Sequence, residues 1–357
     1  MVSPGLSRPP TFGVNNAEAG LPTPMRITIL GAGAWGTALA MALSQQNNVL
    51  LWGRNAEVMQ AIAARRENFP YLPGSLLPVS LQITANLETA VQHAELLIVA
   101  TSVAGLRPLC LQLQSMQAST GKLGNIVWLC KGFEQNTGLL PHQIVSAVLG
   151  DSMAAGVLSG PSFAQEVARG LPCALTVATT DAALRQQVVA AVHSRTLRIY
   201  STDDVIGVEV GGAVKNILAI ATGVIDGMGF GANARAALIT RGLVEITRLG
   251  VALGGRSETF MGLTGMGDLL LTCTGDLSRN RQVGLSLALG KPLATIVEEL
   301  GHVAEGVRCA QAVRALALAH SIEMPISAAV AGVLFDGDSA STMVTRLLSR
   351  DPRMEAI

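Results

Sequence analysis

The chain has 357 residues, 49% hydrophobic and 14% charged, and its 25 basic and 25 acidic side chains balance to zero. That length predicts two domains, and the apolar content excludes a disordered chain. Zero net charge excludes a global field for nucleic acid or an anionic membrane, so any anion site must be local.

Residues 1–24 are rich in Pro, Gly, Ser and Asn and lack the basic and apolar regions of a signal peptide. A disordered extension is expected there. From Met25 the chain alternates. Strands are predicted at 26–30, 48–52, 81–84, 96–100, 125–130, 156–159, 174–178 and 197–200. Helical patterns separate many of them, as at 56–65 and 183–192. Such alternation means βαβ units and a mainly parallel, doubly wound sheet. Strand signals stop after Tyr200, and the remainder reads as helices broken by glycine loops. The expected fold class is therefore α/β: a Rossmann-type sheet over 25–200, then an all-helical substrate or catalytic domain over 201–357. No uncharged apolar run approaches the ~18 residues of a membrane span. The five cysteines (110, 130, 173, 273 and 309) form neither a CxxC nor a metal-ligand spacing. Reduced core thiols, no metal and a cytoplasmic location are expected.

The first strand runs into Gly31-Ala32-Gly33-Ala34-Trp35-Gly36 and then a helix-forming run. This is the context a dinucleotide fingerprint requires. Gly31 allows a tight turn, Gly33 lets backbone approach a pyrophosphate, and Gly36 lets helix pack on strand. At the end of the second strand, where NAD enzymes carry an acidic residue for the ribose, stands Arg54. An arginine there favours a 2′-phosphate, hence NADP over NAD; the alternative is an exposed strand-end arginine.

Lys215 lies inside a run that is apolar nearly all round, which marks a buried helix. A buried lysine is costly unless paired or facing a cleft, and burial lowers its pKa towards useful values. It is either a proton-transfer group or a structural partner of Glu209. Three stretches could join it. Lys131 stands just past a strand end, where open sheets bind ligands. Asp268 follows a glycine-rich approach and either pairs with Lys215 or caps the next helix. Ser278 reads as the N-cap of a helix whose first turn carries Arg279 and Arg281. Two cations oppose the helix dipole there unless a phosphate binds or solvent screens them. Ser162 with Gln165 reads as a capping box behind Pro161. The five histidines occupy unremarkable contexts.

With these stretches in order, the chain resembles bacterial NAD(P)-dependent sn-glycerol-3-phosphate dehydrogenases from Met25 to about Leu348. The motifs that carry the resemblance are Gly31–Gly36, Tyr71-Leu-Pro-Gly74, Lys131-Gly132, Ser159-Gly-Pro-Ser-Phe163, Gly207–Asn216, Asn233–Gly242, Gly265-Met-Gly-Asp268 and Ser278-Arg-Asn280. The resemblance implies interconversion of glycerol 3-phosphate and dihydroxyacetone phosphate, feeding phospholipid synthesis, by a homodimer. It implies Lys215 as proton donor and acceptor, with Asp268 and Lys131 beside it. The implied substrate residues are Lys131, Gly160, Ser162, Lys215, Asn216, Asp268, Thr272, Ser278, Arg279 and Asn280. The implied cofactor residues are Gly31, Gly33, Ala34, Trp35, Gly36, Arg54, Lys131, Ala164, Arg279, Val303 and Glu305. One departure is Thr101-Ser102, where the family commonly has proline first. The alternatives are a 3-hydroxyacid dehydrogenase of the 6-phosphogluconate dehydrogenase superfamily and a nicotinamide-binding regulator without chemistry.

Overall fold

A computed structural model describes residues 23–120, 123–151, 153–300 and 304–349. Residues 1–22 of the expected extension, and Val303, lie outside the described residues. Eight strands form one sheet: β1 (Arg26–Leu30), β2 (Asn48–Trp52), β3 (Gln82–Thr84), β4 (Leu96–Val99), β5 (Asn125–Trp128), β6 (Ala155–Ser159), β7 (Cys173–Ala178) and β8 (Leu197–Thr202). Each expected strand is present, with ends moved by one or two residues. Between the strands run α1 (Ala34–Leu43), α2 (Ala56–Arg65), α3 (Leu87–His93), α4 (Val103–Thr120), α5 (Pro141–Leu149), α6 (Ala164–Ala168) and α7 (Ala182–Val192).

The sheet order is β3-β2-β1-β4-β5-β6-β7-β8, and every neighbouring pair is parallel except β6 with β7. Both faces are covered. One face packs Ile27, Ile29, Leu51 and Ile98 under α1, α2, α6 and α7. The other packs Leu30, Leu97, Val99 and Trp128 under α3, α4 and α5. Burial on both sides is why these strands read as continuous apolar runs rather than alternating ones.

From Val205 onward the chain is helical: α8 (Val205–Gly227), α9 (Gly231–Ala252), α10 (Ser257–Phe260), a π-helical turn Leu263–Gly267, α11 (Asp268–Thr274), α12 (Arg279–Ala288), α13 (Leu293–Glu299), α14 (Glu305–Ala319), α15 (Pro325–Phe335) and α16 (Ala340–Leu348). α8 is the axle. It is buried without interruption from Gly207 to Ile225, and α9, α11, α12, α14 and α15 all pack on it. It is also long and apolar enough to cross a membrane by composition, which a search for uncharged runs misses because Glu209 and Lys215 interrupt it. Here its faces are covered by protein instead.

Glycines let the other helices approach α8. A Cβ on Gly223 would stand 2.1 Å from the Arg281 carbonyl oxygen, and one on Gly284 2.0 Å from that of Ile220. The bare backbones therefore bring α8 and α12 together.

Two local expectations fail. Ser162 does not cap α6, and Pro161 is not its first residue: the helix starts at Ala164 behind Phe163, whose backbone is extended. Gly160 sits at φ +142°, and Ser162 turns its hydroxyl back to the Gly160 carbonyl. That bond turns the side chain away from the start of α6. Nor does Asp268 cap α11, for Gly267 holds that position and Asp268 is already helical.

Candidate active site

The sequence of strand positions reverses between β1 and β4, which opens a crevice at their carboxyl ends. Gly31 lines it at φ +134°, and a Cβ there would lie 2.7 Å from the Ala100 carbonyl oxygen. A Cβ on Gly36 would lie 2.1 Å from the oxygen of Gly31, so this glycine is what lets α1 pack on the strand. Gly33 differs: nothing lies within 4 Å of the place its Cβ would take. It is the N-cap of α1, which has neither a side-chain cap nor an acidic residue in its first turn. Open space before uncapped N–H groups fits the pyrophosphate of a dinucleotide.

Asn68, fully buried, braces this loop by donating to the Ala32 carbonyl (2.9 Å) and the Thr37 hydroxyl (2.7 Å). Gly31 N–H bonds the Trp52 carbonyl, which fixes the end of β2 beside the fingerprint. Arg54, two residues further, is exposed and has no ion-pair partner among the described residues. α6 packs on α1 and so brings Ala164, its first residue, to the same side as the partly buried Ala34 and Trp35. Thr101 lies against Gly31, and its buried hydroxyl has no hydrogen-bond partner among the described residues.

The second cluster is made of side chains. Lys131 emerges just past β5, and its ammonium donates to the Gly160 carbonyl (3.1 Å) and to Asp268 Oδ2 (2.7 Å). Lys215, from the middle of α8, donates to the other oxygen of Asp268 and to the Thr272 hydroxyl (2.9 Å). Thr272 in turn donates to the Asp268 carbonyl at 2.6 Å, so its lone pairs face the lysine. Asp268 is 1% exposed, whereas the Lys131 side chain is 20% exposed. One carboxylate thus serves two ammonium groups, one buried and one at the edge of a cleft.

The π-helical turn delivers Asp268. It sits against α8 where Gly211 has no side chain: a Cβ there would stand 2.5 Å from the Thr264 carbonyl oxygen. Such wide turns recur at functional sites. Burial pulls the Lys215 pKa down to about 8; Asp268 opposes this, and the Lys131 charge adds to it.

α12 begins nearby. Ser278 caps it, its hydroxyl accepting from Arg281 N–H at 3.3 Å. Arg281 bonds Asp226 (2.8 Å) and Asp276 (3.1 Å), so its charge near the helix start is answered within the protein and needs no phosphate. Arg279 stands at the start of the same helix; desolvation lowers its pKa, against the pull of Glu305, the first residue of α14. Glu305 is raised above the usual carboxylate range by burial, against the pull of Arg308 and Arg279. Its Oε2 lies 3.7 Å from the place of a Cβ on Gly132, next to Lys131. Asn280 donates to Asn216 Oδ1 (3.0 Å) and accepts from Gly306 N–H (2.9 Å), tying α12 and α14 to α8 beside Lys215. The amides of Asn216 and Asn280 are thus spent partly on holding helices together.

Glu209 is not the partner of Lys215. Six residues apart on one helix, the two point roughly 120° away from each other. Glu209 instead meets His142 and Trp128, a cluster that the sequence reading passed over, having set all five histidines aside. A second charge inside the α8 run was the available signal. Asn68 also went unnoticed, because a lone amide in a loop looks ordinary.

The family model for the N-terminus of NAD-dependent glycerol-3-phosphate dehydrogenase matches residues 26–185, and the one for its C-terminus matches 204–345. A curated glycerol-3-phosphate dehydrogenase (NAD(P)+) of Herminiimonas arsenicoxydans is 69% identical over 334 residues, 93% of this chain and 99% of that one. That of Paucimonas lemoignei is 66% identical over 337 residues, with the same coverage. Among solved structures, glycerol-3-phosphate dehydrogenase from Coxiella burnetii is 38% identical with a TM-score of 0.87, covering 92% of this chain and 100% of that one.

Proposed function

The chain belongs to the NAD-dependent glycerol-3-phosphate dehydrogenase family, and from that premise we propose how its own residues carry the reaction. The enzyme interconverts glycerol 3-phosphate and dihydroxyacetone phosphate with NAD(P)(H). The nicotinamide, when bound, supplies or accepts the hydride.

Lys215 gives a proton to the ketone oxygen in reduction and removes it from the alcohol in oxidation. A pKa pulled down to about 8 suits both directions, because neither protonation state is scarce near neutrality. Asp268 and Thr272 hold the amine so that its remaining position faces the substrate. Lys131, on the exposed side of Asp268, polarises the carbonyl oxygen or holds a hydroxyl. Gly160 and Ser162 shape the wall beneath it. The N-terminus of α12, with Ser278, Arg279 and Asn280, takes the phosphate, and Asn216 keeps that helix end beside Lys215.

The cofactor residues are Gly31, Gly33, Ala34, Trp35 and Gly36 at the fingerprint, with Ala164 alongside. Lys131, Arg279 and Glu305 flank the far end, and Val303 is carried from the family motif. Arg54, exposed and unpaired among the described residues, favours the 2′-phosphate of NADP, with NAD also accepted. Family membership supports a homodimer, a cytoplasmic location and supply of glycerol 3-phosphate to phospholipid synthesis. Division at residues 25–200 and 201–357 is the reading that sets most of the sheet apart from the helices, with β8 running two residues past it to Thr202.

One observation carries this reading: two lysines from opposite halves of the fold end on the two oxygens of a buried carboxylate. Its test is the absorbance change at 340 nm with NADPH and dihydroxyacetone phosphate. Lys215→Met is expected to lose turnover by about 10²–10⁴-fold while NADPH affinity is kept. Near-normal turnover in that variant would remove Lys215 from the chemistry.

A further inference from the structure

Glu209 is 4% exposed and lies about one and two-thirds turns before Lys215 on α8. Its Oε1 accepts from the Trp128 indole N–H (2.8 Å) and from the His142 backbone N–H (2.9 Å). Its Oε2 meets His142 Nδ1 at 2.5 Å. Trp128 closes β5, three residues before Lys131, and His142 is the second residue of α5. This carboxylate therefore binds the lysine-bearing helix to the lysine-bearing strand, away from Asp268.

We propose that Glu209, seated on Trp128 and His142, is a positioning residue that sets the rotation of α8 and so the placing of Lys215 relative to Lys131. The proposal rests on the roles given above to the two lysines.

The next turn of the helix shows why a directional clamp is needed. Gly211 and Gly212 follow, and they present bare backbone to the Thr264 carbonyl and to the Lys131 stem; a Cβ on Gly212 would lie 3.4 Å from Lys131 Cγ. Two glycines allow close approach but supply no side chain to lock the helix against turning. Apolar neighbours of α8 resist separation without preferring one angle, since burial is non-directional. The polar bonds of Lys215, Asn216 and Asp226 tie α8 to α11 and α12, whereas Glu209 ties it to β5 and α5. Three hydrogen bonds to one carboxylate do prefer an angle. A rotation on the order of 10° about the axis carries an outstretched lysine amine on the order of 1 Å, enough to cost about 10²-fold in rate. Stability alone is a poor reason for the arrangement, because a buried polar cluster of this kind is commonly no better than apolar packing of the same volume.

The test compares Glu209→Leu, Glu209→Gln and Trp128→Phe in the full-length enzyme, reading kcat, KM for dihydroxyacetone phosphate, NADPH affinity and Tm. Glu209→Leu is expected to lower kcat by about 10–100-fold with NADPH affinity unchanged. Glu209→Gln keeps an oxygen for Trp128 and the His142 N–H, and is expected to restore kcat to within about threefold. Trp128→Phe removes one donor and is expected to lower kcat by a few fold at unchanged KM. A Glu209→Leu enzyme that melts earlier but turns over like wild type below its Tm overturns the proposal. If that variant does not fold, an unchanged kcat in Trp128→Phe overturns it instead. Retained turnover in Lys215→Met brings down the lysine assignment and this proposal together, whereas failure of the Glu209 series alone leaves the lysine assignment standing.

Discussion

The cofactor crevice and the lysine centre lie in one molecule but are built of different material. At the crevice the working parts are backbone: a left-handed Gly31, an uncapped helix start, and empty space where Gly33 has no Cβ. At the lysine centre the backbone serves to deliver side chains, and the work falls to charges held out of water, with Asp268 at 1% exposure between Lys131 and Lys215. Backbone shape tolerates solvent and is damaged by added atoms. Buried charge excludes solvent and is damaged when a partner is removed.

That contrast can be tested from both sides. The largest effect is expected at the lysine centre. Asp268→Asn keeps the shape but leaves two lysines without an anion, and kcat for dihydroxyacetone phosphate should fall about 10²–10⁴-fold in steady-state assays. If the loss is below tenfold, the shared carboxylate is not what organises the site.

At the crevice the damage should come from adding atoms. Gly36→Val drives a side chain into the Gly31 carbonyl and should abolish measurable NADPH binding by fluorescence titration. Gly33→Val meets nothing in the free protein, so its Tm should match wild type while NADPH affinity falls at least tenfold. An equal loss of Tm in both variants would refute the distinction drawn between the two glycines.

Arg54→Asp should shift the NADP to NAD ratio of kcat/KM towards NAD by about 10–100-fold, since it exchanges attraction for repulsion at a 2′-phosphate. Equal losses with both cofactors would defeat that assignment.

The smallest effect is a matter of pH. Burial lowers Lys215 from 10.5 to about 8. Reduction needs the protonated amine, so its rate should decline as pH rises through about 8, while oxidation should climb over the same range. Asp268 holds this pKa up, so in Asp268→Asn the residual profile should break at lower pH. The stability sign follows. Below pH 8 both folded and unfolded chains hold the proton, and the penalty of burying the ammonium is complete. Between about 8 and 10.5 only the unfolded chain keeps the proton, so the Lys215 contribution should rise with pH. Lys215→Met should therefore melt no lower than wild type at pH 7.

The same contrast governs what the sequence discloses. The fingerprint is local: six consecutive residues between a strand and a helix state both shape and use. The strands were legible for a similar reason, since burial on both faces writes each as a short apolar run. Lys215 was visible only as an anomaly, because its partner Asp268 lies 53 positions away and nothing in either neighbourhood names the other. Glu209 stood out equally as a charge in that run, and pairing with Lys215 was one of the two alternatives it offered. Helical phase, which turns the two side chains apart, was the evidence against it. The failed capping box at Ser162 has another cause: a left-handed Gly160 redirects the chain, and capping statistics take no account of such a turn.

The uninterrupted burial of α8 has a bearing on how the protein is made. Its cover comes from α12, α14 and α15, the last of which ends at Phe335, more than a hundred residues after α8 itself. At a synthesis rate of about 10 residues per second, roughly 10 s pass between completion of that helix and arrival of its last cover. Through that interval the growing chain displays a segment with the length and oiliness of a bilayer anchor. Glu209 and Lys215, set within its apolar run, raise the cost of inserting the nascent chain into a membrane. The charges that serve the finished enzyme thus also help to keep the unfinished chain in water.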